Sequence, residues 1–248
     1  MNQRIALVTG GIGGLGTEIC KYLARSGRRV IAADLASRTE RVAEFHNEIG
    51  DLSSHISFES INVGDADACS EAVKAIEAKH GKIDILVNSA GITRDTTLRK
   101  MTPQQWHDVL DINLSGVFNT CRTVVEGMTE RGFGRIVNIS SVNGQTGQFG
   151  QTNYSAAKAG MHGFTMALAR EVARKGVTVN SVSPGYCRTA MVAAIPENVR
   201  SQIIAGIPVG RLGEPSEIAR VVDFLCAEES GFITGANIPV NGGYFMDN

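Results

Sequence analysis

The chain offers no cysteine pattern on which a disulfide framework or a zinc site could be built. Its five cysteines (Cys20, Cys69, Cys121, Cys187 and Cys226) are odd in number, scattered, and never spaced C-x-x-C. Each reads as a small core residue in a reducing cytoplasm, and no metal is expected. No apolar run approaches the roughly 20 residues that a membrane span needs. The run after Arg4 is too short for a signal peptide, and strand-like features follow it at once. A formal net charge of −1 provides no electrostatic pull towards nucleic acid or an anionic membrane. Internal repeats, low-complexity tracts and Pro/Gly-rich linkers are missing too, so nothing divides the 248 residues.

What is present is an ordinary globular composition, 43% apolar and 20% charged, arranged in alternation. Strand-like segments are Arg4–Val8, Arg29–Ala33, His55–Ser60, Ile83–Asn88, Gly134–Ile139, Val177–Val182 and Asn237–Val240. Helical stretches separate them: Thr17–Arg25, Ser37–Ile49, Ala66–Lys79, Pro103 to about Glu130, one around Tyr154, and Glu217–Ala227. The pattern predicts one doubly wound, Rossmann-type α/β domain over residues 1–248, its seven-stranded parallel sheet covered by helices on both faces. Ligands in such a sheet lie beyond the carboxyl ends of the strands. Asp34, Asn62, Asn88, Ser140, Ser141 and Pro184-Gly185 end the predicted strands on that rim.

Two motifs carry chemistry. Thr9-Gly10-Gly11-Ile12-Gly13-Gly14-Leu15-Gly16 joins the first strand to the first helix. Gly11, Gly13 and Gly16 fit G-x-G-x-x-G, while Gly10, Gly14 and Gly16 fit T-G-x-x-x-G-x-G. Either spacing lets a pyrophosphate approach the backbone at a helix N-terminus. Tyr154 and Lys158, four residues apart, share one helix face. A nearby ammonium would pull the phenol pKa down from near 10, which suits an acid–base catalyst.

Thr9–Gly16, Asn88-Ser89-Ala90-Gly91, Asn113, Ser141, Tyr154, Lys158 and Pro184-Gly185 stand in the order and spacing of the short-chain dehydrogenase/reductase family, which the chain resembles over nearly its whole length. Ser89 departs from the family pattern, which has a second Asn there. Gly91–Asp95, Val142–Gln145, Gly147–Tyr154 and Gly163–Leu168 further resemble acetoacetyl-CoA reductases, with 3-oxoacyl-[acyl-carrier-protein] reductases as near relatives. The resemblance implies reduction of a 3-oxoacyl thioester, such as acetoacetyl-CoA, to the (R)-3-hydroxyacyl product by a homotetramer built through the long central helices and the C-terminal segment.

It also implies roles. Tyr154 protonates the substrate oxygen, Ser141 hydrogen-bonds it, Lys158 tunes Tyr154 and holds the nicotinamide ribose, and Asn113 anchors a relay to that lysine. The cofactor falls to Gly10, Gly11, Ile12, Gly14, Leu15, Gly16, Asp34, Asn62, Val63, Asn88, Ala90, Gly91, Tyr154, Lys158, Pro184, Gly185 and Thr189. Substrate contacts are Asp95, Lys100, Ser141, Gln148, Phe149, Gln151 and Tyr186, under a lid of about residues 186–210. Arg94, Arg99 and Lys100 meet CoA phosphates or form a solvated loop. Asp34 can accept from both adenine-ribose hydroxyls and would repel a 2′-phosphate, which favours NADH. NADPH would need a cation such as Arg38 or Arg41. Rival readings are a non-catalytic nucleotide-binding protein and a dehydrogenase for another alcohol.

Overall fold

The structure is a computed structural model describing residues 3–246, so the outermost residues of the expected 1–248 domain lie outside it. So do the side chains of residues 190 and 191, within the expected lid. Seven strands form one parallel sheet: β1 (Ile5–Thr9), β2 (Arg29–Asp34), β3 (Ile56–Ser60), β4 (Ile85–Asn88), β5 (Gly134–Ile139), β6 (Val177–Pro184) and β7 (Asn237–Val240). Their order is β3-β2-β1-β4-β5-β6-β7, and every pairing is parallel. Chain direction across the sheet reverses between β1 and β4, where Thr9 faces Asn88 in register.

The strands read as near-continuous apolar runs because both faces are covered, and successive side chains feed opposite layers. Val8, Val30, Ile85 and Val137 pack under α1 (Gly14–Arg25), α2 (Thr39–Ile49) and, much later in the chain, residues Ile218, Val222 and Leu225. Leu7, Ile31, Leu86 and Ile136 point the other way, towards Val73 and Ile76 of α3 (Ala66–His80) and the central helices.

Those central helices differ from expectation. The stretch from Pro103 to about Glu130 is not one helix. It comprises α4 (Pro103–Leu110), a π-helical turn over Asp111–Ser115, and α5 (Gly116–Arg131). The wide turn holds Asn113, whose amide bonds Ile92 in both directions, and wide turns of this kind gather at functional sites. Next come the single-turn α6 (Asn143–Thr146) and the long α7 (Thr152–Val172). Then follow α8 (Ala190–Ala193), α9 (Glu197–Ala205) and α10 (Pro215–Leu225). The short helices α6, α8 and α9 were not expected from the sequence. Elsewhere the differences lie at element ends: α1 starts within the glycine turn at Gly14, and β6 runs on to Pro184.

Candidate active site

At the switch point, the Thr9 hydroxyl accepts the backbone N–H groups of Ser89 and Ala90, each at 3.2 Å, and so clamps β1 to the end of β4. The glycines beyond it do different jobs. Gly10 has φ +63°, and a Cβ there would sit 2.8 Å from Ala90 Cα. A Cβ on Gly11 would lie 2.7 Å from the Val8 carbonyl oxygen, and one on Gly16 only 2.1 Å from that of Gly10. Chain packing alone demands these three. At Gly14 a Cβ would meet nothing nearer than Thr189, at 3.7 Å. Gly14 therefore keeps an open face at the start of α1, where the first-turn N–H groups have no helical partner and carry partial positive charge. A dinucleotide pyrophosphate fits this cradle. Ile12 is fully buried, so its side chain is not available to a ligand, whereas Leu15 is partly buried against the core.

Asp34 ends β2 half-buried. Its Oδ1 accepts the Leu35 N–H at 2.8 Å, and its Oδ2 accepts Arg38 Nη1 at 2.9 Å. Arg41 grips Glu44 and Glu48, and also donates to the Ile12 carbonyl and the Thr17 hydroxyl. Neither arginine is uncommitted, so neither stands ready for a 2′-phosphate in the way the sequence suggests.

Tyr154 and Lys158 lie one turn apart on α7, with Lys158 Nζ 5.6 Å from the Tyr154 ring centroid. The expected electrostatics need correcting. Lys158 is buried, its Nζ donates to the Ile139 carbonyl at 2.7 Å, and burial pulls its pKa down to about 8. The Tyr154 pKa moves up, chiefly because the protein around the phenol disfavours its charged form. Hydrogen bonding from Ser141 opposes that rise, and the Asp95 carboxylate adds to it. Ser141 is thus the group that opposes the rise, while the buried phenol retains its proton for transfer at neutral pH. Asn153 locks the start of α7, donating to the Arg94 and Gln105 carbonyls and accepting the Tyr154 N–H.

Asn113 is buried, and its amide bonds the Ile92 backbone, accepting at 2.8 Å and donating at 2.9 Å. It makes no direct bond to Lys158; a Cβ on Gly91 would lie 3.4 Å from Asn113 Oδ1 and 3.7 Å from Lys158 Nζ, so bare Gly91 separates the two. Asn88 also corrects expectation, because its side chain turns into the core. It donates to Asn138 and Cys121 and accepts from Thr120, so its side chain has no donor left for a cofactor. Asn62 is exposed and accepts the Gly64 N–H, whereas Val63 is buried and its carbonyl receives Asn119. Pro184 and Gly185 tie β6 to Val142 and to Val240 through backbone bonds.

At the expected substrate end, Asp95 Oδ2 accepts Gln151 Nε2 at 2.8 Å, and Gln151 Oε1 accepts Asn143 Nδ2 at 2.9 Å. Tyr186 is half-buried, edge-on to Tyr244 with centroids 5.6 Å apart. Phe149 was expected to line the acyl pocket but is 87% exposed, lifted with Gln148 on a loop flanked by Gly147 and Gly150, both at positive φ. Lys100 is exposed in the turn Leu98–Lys100, and no bond joins it to this group among the described residues. Sequence reading named Thr9 only as part of the glycine motif, not for its clamp on β4, and gave no role to Asn153, Tyr244 or Asn143. Of these three, Asn143 had a local signal, its place two residues after Ser141.

Among the described residues, no group of His, Cys, Asp or Glu could hold a metal, and no helix is long and apolar enough to cross a membrane. All five thiols are buried and free, and burial pushes their pKa values up, to about 11 at Cys69 and Cys187.

The comparisons agree with this geometry. Residues 4–200 match the family model for short chain dehydrogenase. The chain is 56% identical to an acetoacetyl-CoA reductase of Allochromatium vinosum, over 98% of this chain and 99% of the other. It is 55% identical to one of Cupriavidus necator, over 99% and 100%. A 3-oxoacyl-[acyl-carrier-protein] reductase of Vibrio cholerae is 42% identical, over 99% of each chain. With the glycine cradle, the Ser141–Tyr154–Lys158 group and the parallel sheet all in place, the chain belongs to the short-chain dehydrogenase family, a family of nicotinamide-dependent oxidoreductases.

Proposed function

We propose that the protein reduces acetoacetyl-CoA, or a similarly short 3-oxoacyl-CoA, to the (R)-3-hydroxyacyl-CoA in the cytoplasm. The observation that carries this reading is the convergence of Ser141, Tyr154 and Lys158 beside the glycine cradle, in a chain 56% identical throughout to an acetoacetyl-CoA reductase. When bound, a nicotinamide dinucleotide supplies the hydride for the keto carbon. The backbone of Gly10–Gly16 would hold its pyrophosphate, Asp34 its adenine ribose, and Thr189, which stands over Gly14, its amide or pyrophosphate. Lys158 would hold the nicotinamide ribose.

The chain's own work is proton transfer and orientation. Tyr154 keeps its proton at neutral pH and gives it to the keto oxygen as charge develops there. Ser141 donates to the same oxygen, and a donor already aimed at developing charge is worth a few kcal/mol. Tyr186 and Tyr244, with Ile203, Ile204 and Ile207, make a separate apolar cluster under α8 and α9, which supports a lid over residues 186–210. Asp34 supports a preference for NADH, and its pairing with Arg38 tempers that preference.

One set of assays tests the reading: kcat/KM with acetoacetyl-CoA and with an acetoacetyl carrier protein, each with NADH and with NADPH. We expect the CoA thioester and NADH to be preferred. A tenfold preference for the carrier-protein substrate would overturn the substrate assignment, and a tenfold preference for NADPH would overturn the role given to Asp34.

A further inference from the structure

The side chains Asp95, Gln151 and Asn143 form a chain of hydrogen bonds whose direction has only one solution. A carboxylate can only accept, so Gln151 must turn its amide nitrogen towards Asp95 Oδ2, at 2.8 Å. Its carbonyl oxygen therefore faces inward and accepts Asn143 Nδ2, at 2.9 Å. Asn143 is then oriented as well, with Oδ1 left over. That oxygen is buried and has no partner, and Asn143 as a whole is only 8% exposed. Unpaired buried acceptors are uncommon in folded proteins. Here Gln145 Oε1 and Ser155 Oγ, in the same two helices, are unpaired too. Incomplete hydrogen bonding is thus concentrated where α6 meets the start of α7, around Tyr154.

The inner end of the chain reaches the chemistry. The Asn143 N–H donates to Ser141 Oγ at 3.1 Å. An oxygen already accepting that bond has its own proton free to point elsewhere, towards Tyr154 or a substrate oxygen. Helix α6 is a single turn of four residues with no side-chain cap, and Gly147 at positive φ ends it. Such a short element needs an external tether, and the Gln151 amide at the N-cap of α7 provides one.

We propose that Asn143 is a positioning residue for the reduction, set by an amide relay that runs from Asp95 through Gln151 and fixes the bond from its backbone to the Ser141 hydroxyl. The inference rests on the activity proposed above and adds a residue to it. Asp95 and Gln151 then act on Ser141 from outside, as well as lining the approach of the substrate.

The test uses the purified full-length enzyme with acetoacetyl-CoA and NADH. Asn143→Ala removes the tether, and we expect kcat to fall about tenfold or more with KM for NADH within twofold, as small misplacements of reacting groups cost turnover more than binding. Asn143→Asp puts a carboxylate at each end of one amide, which can satisfy only one of them, and should also lose turnover. The double variant Asp95→Asn with Asn143→Asp reverses every bond of the relay, and should recover at least tenfold over Asn143→Asp alone. Unchanged kcat in Asn143→Ala, or a double variant no faster than Asn143→Asp, overturns the relay. A variant that no longer folds is read through the double variant, whose thermal midpoint and turnover must both recover. A wild-type enzyme without activity on acetoacetyl-CoA would instead defeat the proposed function.

Discussion

Burying an ammonium without a carboxylate beside it is costly, and Lys158 does this at the centre of the site. Its pKa drops from 10.5 to about 8 on folding. Below pH 8 the lysine is charged in both states, and the folded protein bears the full penalty of about 3 kcal/mol. Between pH 8 and 10.5 the unfolded chain binds the proton and the folded one does not, so stability rises with pH across that window. Lys158→Met should therefore be more stable than wild type at pH 7, with the difference shrinking towards pH 10 in paired urea titrations. It should also lose turnover. A difference that does not vary with pH would show that the ammonium is not desolvated. Tyr154→Phe removes the transferable proton and leaves the cradle intact. Single-turnover assays should show about a thousandfold loss or more, while nucleotide binding followed by fluorescence is retained. Near-native turnover would remove Tyr154 from the mechanism.

Among the elements, the glycine turn separates folding from binding. Gly16→Ala drives a methyl into the Gly10 carbonyl oxygen at 2.1 Å, so the turn must open. Gly14→Ala has room, with Thr189 3.7 Å away, so any damage comes from what the ligand needs. We expect Gly16→Ala to lower the thermal midpoint by several degrees and abolish nucleotide binding. Gly14→Ala should keep its midpoint and raise KM for the nucleotide tenfold or more. Equal melting losses in both variants would contradict this division. The π-helical turn between α4 and α5 escapes sequence periodicity because the apolar pattern barely registers one widened turn. Asn113 was legible as a candidate, yet its engagement with Ile92, 21 residues away, was not.

For the whole molecule, the exposed apolar side chains bear on the homotetramer that the resemblance implies. Phe118 on α5 and Met166 on α7 are about half exposed, and Phe232 near the C-terminal strand is fully so. One such side chain on each of the two long helices, with Phe232, is what an assembly through the central helices and C-terminal segment would cover, and we propose that homotetramer. Light scattering should give the mass of four 26.4 kDa chains. Phe118→Glu with Met166→Glu should yield a smaller species with a reduced thermal midpoint. A monomeric wild type would refute the assembly.

The amino-acid sequence alone determined the layered α/β plan, the glycine cradle and the Tyr154–Lys158 spacing, because strand and helix periods and i,i+4 neighbours are local properties of a chain. Tertiary structure decided what each polar residue near the site is bonded to. Asn88 is occupied by Thr120, Cys121 and Asn138, Arg38 is drawn onto Asp34, and Asn143 is held by Gln151 and Asp95. It also decided the sign of the Tyr154 shift, since burial is set by everything that packs around the phenol and not by the lysine four residues along. Hydrogen-bond partners and desolvation depend on which distant segments meet, and that is settled only when the sheet closes.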